Sequence, residues 1–399
     1  MAIAIAQARD HMAAADDSTP ITPAAHGMRM ALTHDYLDQY GGAERTVLAL
    51  CEQFPSVPLY TSVYERAVMQ RLGFVEPTQQ IVVSFMQHWP LRRRVPRYYN
   101  TWLYPLAFRR FDLQSYDLVL SSANFAAKDL TLPGRCVHVS YCYTPPRFLW
   151  GFDSETACRA MPFYERPLAM LARVVLRRLD YQAAQRVNLF LASSEAVARR
   201  IKVAYGRRAL VVYPPVETER FSGREVRDEG FFLIVSRLNA YKRIDAVIAA
   251  CNRARLPLLV VGTGPWERRL RAQAGGTVRI TGPLPDGEVD RLMSTCRAFV
   301  LPGEEDFGIA AVEAMAAGKP VLALRRGGAV ETVTDGRTGL LYDEPTPDAF
   351  LDAVRRLAAS RWDPDLARAR ARQFDRIRFA AKIDQSVAVA IERGASVYS

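Results

Sequence analysis

From Met28 onward the chain alternates short apolar runs with longer stretches in which apolar residues recur every three or four positions. A run of four to eight apolar residues reads as a strand buried on both faces, and the longer period is that of helices packed on such strands. Repeated in this order, the two patterns require β-α-β units feeding a parallel sheet. Strands are read at Met28–His34, Gln80–Phe85, Tyr116–Ser121, Cys136–Tyr141 and Asn188–Ala192, and again at Phe231–Ser236, Leu256–Gly262, Val278–Thr281, Ala298–Leu301 and Pro320–Leu324. Helices are read at Ala43–Gln53 and Glu195–Tyr205. Pro162–Arg186 forms a long one with Leu168, Leu171, Val175 and Leu179 at the spacing of a core-facing stripe.

Tyr213-Pro214-Pro215-Val216-Glu217 interrupts this alternation, because two prolines forbid a helix and break a sheet ladder. The pattern restarts beyond it, so the 399 residues divide into a domain at 28–215 and a second at 216–375. Residues 1–27, rich in Ala, Asp, Ser, Thr and Pro, read as a disordered leader. The last helical pattern, Asp365–Glu392, has no strand after it and must dock on something already built, so 376–399 is expected to cross back onto the first domain.

Charge is where the composition departs from the ordinary. Lys and Arg number 53 against 42 Asp and Glu, leaving +11, which calls for an acidic partner or surface. Two segments hold most of it: Pro90–Leu113 has six Arg against one Asp, and Arg159–Arg178 five Arg against one Glu. The first interleaves Arg92, Arg93, Arg94, Arg97, Arg109 and Arg110 with six aromatic rings. That mixture suits an anionic membrane surface; a solvated basic face over an aromatic core is the other reading. A nucleic-acid track would also fit the charge, but the two-domain layout and the paired glutamates described below argue against it. No apolar run approaches the roughly 18 residues of a spanning helix, so a peripheral place on the cytoplasmic side of the cell membrane is expected. Six scattered cysteines and five histidines form no zinc-type cluster, and packed, reduced thiols are expected.

Three motifs carry chemistry. Gly41-Gly42-Ala43-Glu44-Arg45 follows the first strand and opens a helix, where free N–H groups and the positive end of the helix dipole suit a phosphate; a tight strand-to-helix turn is an equal reading. Arg237 and Lys242 follow the first strand of the second half, the sheet edge at which open α/β sheets bind ligands. They fit a diphosphate as fork and point charge, or a solvated surface pair. The most specific run is Glu305 to Val321: Glu305 lies in a loop and Glu313 inside an Ala-rich helix. A carboxylate so placed accepts the two hydroxyls of a ribose, while the Phe307-Gly308 turn leaves N–H groups for a phosphate. Asp35 and Arg147 stand at strand ends and are further site candidates, whereas His138, inside an apolar strand, reads as a buried, hydrogen-bonded histidine. A dinucleotide oxidoreductase is disfavoured because neither domain's first turn carries G-x-G-x-x-G.

Together with Gly262-Thr263-Gly264-Pro265, Gly327-Gly328, Glu331 and Asp335-Gly336-Arg337-Thr338-Gly339, these elements resemble the family-four retaining glycosyltransferases of the GT-B fold. His34-Asp35-Tyr36-Leu37, Ser121-Ser122, Ala126-Ala127-Lys128, Tyr141-Cys142-Tyr143-Thr144-Pro145-Pro146-Arg147 and Tyr213-Pro214-Pro215-Val216 look like the subgroup associated with mannosyl transfer in bacterial surface polysaccharide assembly. Asn124 or Tyr143 stands where that subgroup carries a histidine. The resemblance implies an α/β protein of two Rossmann-like parallel-sheet domains facing across a cleft, with the C-terminal helix returned to the first. It implies transfer of mannose from GDP-mannose to a lipid-linked saccharide in exopolysaccharide, O-antigen or related glycan synthesis. A UDP-sugar donor, or a nucleotide-sugar-binding protein with weak or no activity, remains open. By the same resemblance Glu305, Arg237 and Lys242 are catalytic. The donor is held by Gly41, Gly42, Arg237, Lys242, Gly262, Phe307, Gly308, Ile309 and Glu313, while Asp35, Asn124, Tyr143 and Arg147 face sugar or acceptor. No metal and no cofactor beyond the donor is expected. Front-face attack is implied, in which a leaving phosphate oxygen takes the acceptor proton and Glu305 positions sugar hydroxyls.

Overall fold

Every strand pairing found is parallel, and the strands fall into two sheets. The computed structural model describes residues 27–39, 41–71, 80–90, 100–152 and 166–398. Most of the leader, together with Arg92, Arg93, Arg94, Arg97 and Cys158, lies outside the described residues. Strands β1 (Met30–His34), β2 (Leu59–Thr61), β3 (Ile81–Val83), β4 (Leu118–Ala123), β5 (Val137–Cys142), β6 (Leu189–Ala192) and β7 (Ala209–Val211) run in the order β3-β2-β1-β4-β5-β6-β7. Strands β8 (Phe232–Val235), β9 (Leu258–Val261), β10 (Val278–Gly282), β11 (Ala298–Leu301), β12 (Val321–Leu324) and β13 (Gly339–Tyr342) run β10-β9-β8-β11-β12-β13.

Chain order reverses between β1 and β4 in the first sheet and between β8 and β11 in the second. The loops leaving the two central strands then part to opposite faces and open a crevice at the carboxyl ends. The register pairs His34 with Ser122 and Leu233 with Phe299. Asp35, Asn124, Arg237 and the 302–308 loop therefore issue from the two crevices.

Strands β2, β7 and β13, short runs beside the turn residues Pro58, Pro214 and Gly336, were not read as strands from the sequence. The Asp365–Glu392 pattern also divides. Helix Pro364–Ala371 is separated from helix Arg376–Tyr398 by a 3-10 turn at Arg372–Phe374. The second of these helices packs on the first sheet, burying Phe379, Ile383, Val387 and Ala390 in the same core as Leu32, Leu120 and Val139. Phe379 meets the Tyr141 ring at 5.8 Å, and Gln53 donates to Ala380 O at 3.0 Å and Asp384 Oδ1 at 2.8 Å. The two crossings between domains lie side by side: Val216 N–H donates to Phe374 O at 3.0 Å, and Val216 and Asp375 form a parallel bridge.

Helix Arg166–Gln185 has the expected period but the opposite phase. It buries Leu176, Asp180, Ala183 and Ala184, and leaves Leu171 and Val175 exposed rather than in the core. The cause is Asp180, which accepts from Lys128 Nζ at 2.5 Å, Trp150 Nε1 at 2.7 Å and Tyr205 Oη at 2.8 Å. A buried carboxylate with three donors fixes which face turns inward, against the pull of the apolar residues. The described part of the first basic segment is a basic edge over an aromatic core. Tyr104 and Phe108 are buried, Arg109 donates to Asp129 at 3.0 Å, and Arg110 stands 5.5 Å over the Phe85 ring.

Because the C-terminal helix completes the first core, Phe379→Ala is expected to destabilise the first domain by about 3 kcal/mol. Urea unfolding followed by Trp102 and Trp150 fluorescence checks this; an unchanged midpoint would show that the helix is not part of that cooperative unit.

Candidate active site

The first crevice is built by a carboxylate whose hydrogen bonds, among the described residues, all come from backbone amides. Asp35 Oδ2 accepts the N–H groups of Asn124 (2.6 Å) and Phe125 (2.9 Å), and Oδ1 those of Ala126 (2.8 Å) and Ala127 (2.7 Å). Four amide donors on one buried carboxylate shape the turn after β4. Asn124 enters this arrangement through its backbone. Next to it His34 Nδ1 lies 3.0 Å from Ser122 Oγ, which lies 2.8 Å from Tyr143 Oη. Tyr143 in turn donates to Ala43 O at 2.9 Å, so the chain of contacts ends on the Gly41–Gly42 loop. Burial lowers the His34 pKa, which favours the neutral imidazole that such a relay uses. His138 is a satisfied buried histidine, 2.9 Å from Ser121 Oγ, and burial with the charges of Arg186 and Lys128 brings its pKa down to about 3.

Gly42 opens helix Gly42–Gln53, and a Cβ there would stand 2.8 Å from Ile309 Cδ1 of the other domain, so the two domains meet closely at this point. Glu44, one turn in, is buried and takes a hydrogen bond from Gln39 Nε2 at 2.9 Å. Burial raises its pKa to about 7, against the opposing effects of that hydrogen bond and of the Arg237 charge.

Across the cleft, Lys242 is buried and paired with Glu305. Burial alone would lower its pKa, but the Glu305 carboxylate holds it above the usual lysine value. Arg237 is exposed; its carbonyl accepts from Ser236 Oγ at 3.1 Å, but among the described residues no hydrogen bond or ion pair ties down its guanidinium. Gly262 follows β9 at φ 135°, and a Cβ there would lie 2.0 Å from Ser236 O, so only glycine lets the two loops touch. Gly328 N–H donates to Glu305 O at 2.8 Å and fixes the loop that carries Asp306, Phe307 and Gly308. Gly308, at φ 94°, starts helix Ile309–Ala316, whose alanines allow Glu313 to be buried.

Glu313 is held by Arg45 at 2.7 Å and Arg220 at 3.5 Å; burial raises its pKa while both guanidinium groups oppose the rise. Arg45, Arg220, Glu313, Ile309 and Asp286 line one cavity with Pro215 and Val216. Arg147 reaches Asp306 at 2.6 Å and stacks 4.9 Å over the Tyr241 ring, and Arg200 binds both Asp306 and Glu304. Glu331 accepts the N–H groups of Glu195 (2.8 Å) and Ala196 (3.0 Å), opening helix Glu195–Tyr205 of the first domain.

The sequence candidates Arg237, Lys242, Glu305, Glu313, Gly42 and Arg147 thus come together across one cleft, whereas Asp35 and Asn124 are engaged with each other. Arg200 and Arg220 carried no sequence signal, because an arginine on a helix or turn reads as solvated charge. Arg45 lay inside a motif noted for its glycines.

Two facing doubly wound sheets, a cleft lined by cations and buried carboxylates, and a C-terminal helix returned to the first domain define the GT-B class. Two family profiles cover both halves: "Glycosyltransferase Family 4" over residues 40–220 and "Glycosyl transferases group 1" over 215–374. The chain belongs to the glycosyltransferase superfamily of GT-B fold. It is 30% identical over 236 residues to the D-inositol 3-phosphate glycosyltransferase of Nocardioides sp., covering 52% of this chain and 50% of that one. It is 32% identical over 220 residues to the GDP-mannose-dependent alpha-(1-6)-phosphatidylinositol monomannoside mannosyltransferase of Mycolicibacterium smegmatis, covering 47% and 56%. The chain spans about half the length of the curated relatives it matches. In fold it resembles Anabaena Alr3699/HepE, solved with UDP-glucose, at a TM-score of 0.63 and 17% identity over 90% of this chain and 99% of that one. Sucrose-phosphate synthase from Thermosynechococcus elongatus gives 0.62 and 17% over 92% and 98%.

The folded chain holds the Glu44 proton to higher pH than an unfolded one, so this group's contribution to stability erodes as pH rises from 4.5 to about 7 and is flat above. Glu44→Gln is expected to gain on the order of 3 kcal/mol over the native chain at pH 8, with the gain vanishing near pH 4. Urea titrations at the two pH values test it; a gain independent of pH would assign the effect elsewhere.

Proposed function

We propose that the chain transfers mannose from GDP-mannose to a lipid-linked saccharide, with retention at the anomeric carbon. The observation that carries this reading is the convergence at the two facing crevices of Arg237, the Lys242–Glu305 pair, the Gly41–Gly42 loop and buried Glu313. A departing nucleoside diphosphate concentrates negative charge, and fixed cations there stabilise it most where water is excluded. Arg237 is the uncommitted cation and Lys242 the preorganised one. Glu305, oriented by Lys242, has an oxygen to offer the hydroxyls of a sugar. Glu313 suits a ribose, for which it would exchange its contact with Arg45. In this reading the acceptor hydroxyl attacks from the face of the leaving group, whose phosphate oxygen takes the proton.

Mannose and a lipid acceptor draw support from the mycobacterial relative named above and from the motifs of the first domain. The Anabaena neighbour, solved with UDP-glucose, makes a UDP-sugar the second reading.

A thermal-shift panel of GDP-mannose, UDP-glucose and ADP-glucose, run in EDTA, discriminates these. Ligand at about a hundred times Kd stabilises the folded state by about 2.7 kcal/mol, so GDP-mannose alone is expected to raise Tm, with the rise lost in Glu313→Ala. Lys242→Ala is expected to keep much of the nucleotide binding yet lower turnover by about a hundredfold or more. A selective UDP-glucose shift would move the assignment to the second reading, and no shift with any sugar nucleotide would refute both.

A further inference from the structure

Among the described residues, the face of helix Arg166–Gln185 opposite its buried one is apolar and exposed. Met170, Leu171, Val174 and Val175 are 72%, 62%, 61% and 51% exposed, and Tyr181 on the same side is 45% exposed. In a helix these positions share one side, one or two turns apart. The helix cannot roll to hide them, because Asp180 is held underneath by Lys128, Trp150 and Tyr205. Arg173 donates to Leu149 O at 3.3 Å and Arg177 stacks 4.4 Å over the Trp150 ring, so the flank is fixed as well. Phe148, 42% exposed in the turn whose Leu149 O takes the Arg173 bond, meets the Phe125 ring at 5.6 Å, beside Asn124 in the first crevice. That turn joins the helix to the rim of the first crevice.

We propose that this face docks on an anionic phospholipid bilayer, with Met170, Leu171, Val174 and Val175 entering the headgroup boundary and the helix arginines engaging lipid phosphates. Charge complementarity selects this occupant: Arg173, Arg177 and Arg178 fall within the same turns, the last two exposed, and no acidic residue occurs in the helix before Asp180. A helix with large apolar side chains on one side and arginines flanking them has the form of an interfacial membrane helix. The inference rests on the lipid-linked acceptor proposed above and deepens it: the bilayer that holds the acceptor would be met by the domain whose crevice receives it. It also moves the contact from the Pro90–Leu113 arginines, of which Arg109 is already paired, to a different element.

Flotation with vesicles of phosphatidylcholine, with and without phosphatidylglycerol, tests this on the full chain. The native protein is expected to float with the anionic vesicles, less so at high salt, and to remain below with the neutral ones. The double variant Leu171→Glu/Val175→Glu is expected to bind at least about tenfold more weakly. Both side chains are exposed, so its thermal melting and its GDP-mannose shift without vesicles should match the native protein; that shift reports on the donor reading separately. Should the double variant melt early, Val174→Trp in the otherwise native chain replaces it, and its emission should move to the blue on anionic vesicles. The proposal is overturned if the native protein ignores anionic vesicles, if the folded double variant floats as well as the native protein, or if the Val174→Trp emission does not move. It is also overturned if sedimentation shows a native dimer that the double variant splits, since a second copy would then be the occupant.

Discussion

Asp306 receives two guanidinium groups from the opposite domain, Arg147 and Arg200, and Glu304 takes the other arm of Arg200. Arg200 is buried, and a buried guanidinium left without its carboxylates would cost several kcal/mol. The cleft is therefore held by charges that need each other. The arrangement of the remaining groups follows: Glu313 stands against Arg45, and Glu331 caps the helix that delivers Arg200. These pairs link the two crevices at several points along the cleft.

Against this background of satisfied charge, Arg237 stands out. It lies at the carboxyl end of β8, exposed, and its charge is felt by Glu44 and Lys242. An anion entering the cleft meets a cation that need surrender no partner, close to a second cation, Lys242, whose position is already set. Preorganisation of this kind is what lets an enzyme stabilise developing charge without rearranging during the reaction.

Strands such as β8, β9 and β11 were readable because their continuous apolar runs have no other stable home than a covered parallel sheet. The donor-side loops were readable because glycine and charge there serve geometry that few other residues allow, as at Gly262 and Gly308. What escaped was phase and partnership. Periodicity marked Pro162–Arg186 as helical but could not say which side faces inward, since that was decided by Asp180 and three donors distant in sequence. Arg200 and Arg220 escaped for the same reason: ion pairs joining residues 104 and 70 positions apart leave no local pattern. Asp35 was legible as a site residue by position, yet its four amide partners could be known only once β1 and β4 were neighbours.

The paired crossings at Val216 and Asp375 have a mechanical consequence. These crossings are the covalent links between the two domains, so once the ion pairs of the cleft part, rotation about the line through both is the soft one. Displacement grows with lever arm, so groups near that pivot shift little while those far from it sweep widely. The cavity containing Arg45 and Glu313 is bordered by Pro215, Val216 and Arg376, at the pivot itself. Its width is thus nearly constant through such a swing, and a ligand could be gripped at this end before the opposite lip of the cleft has come to rest.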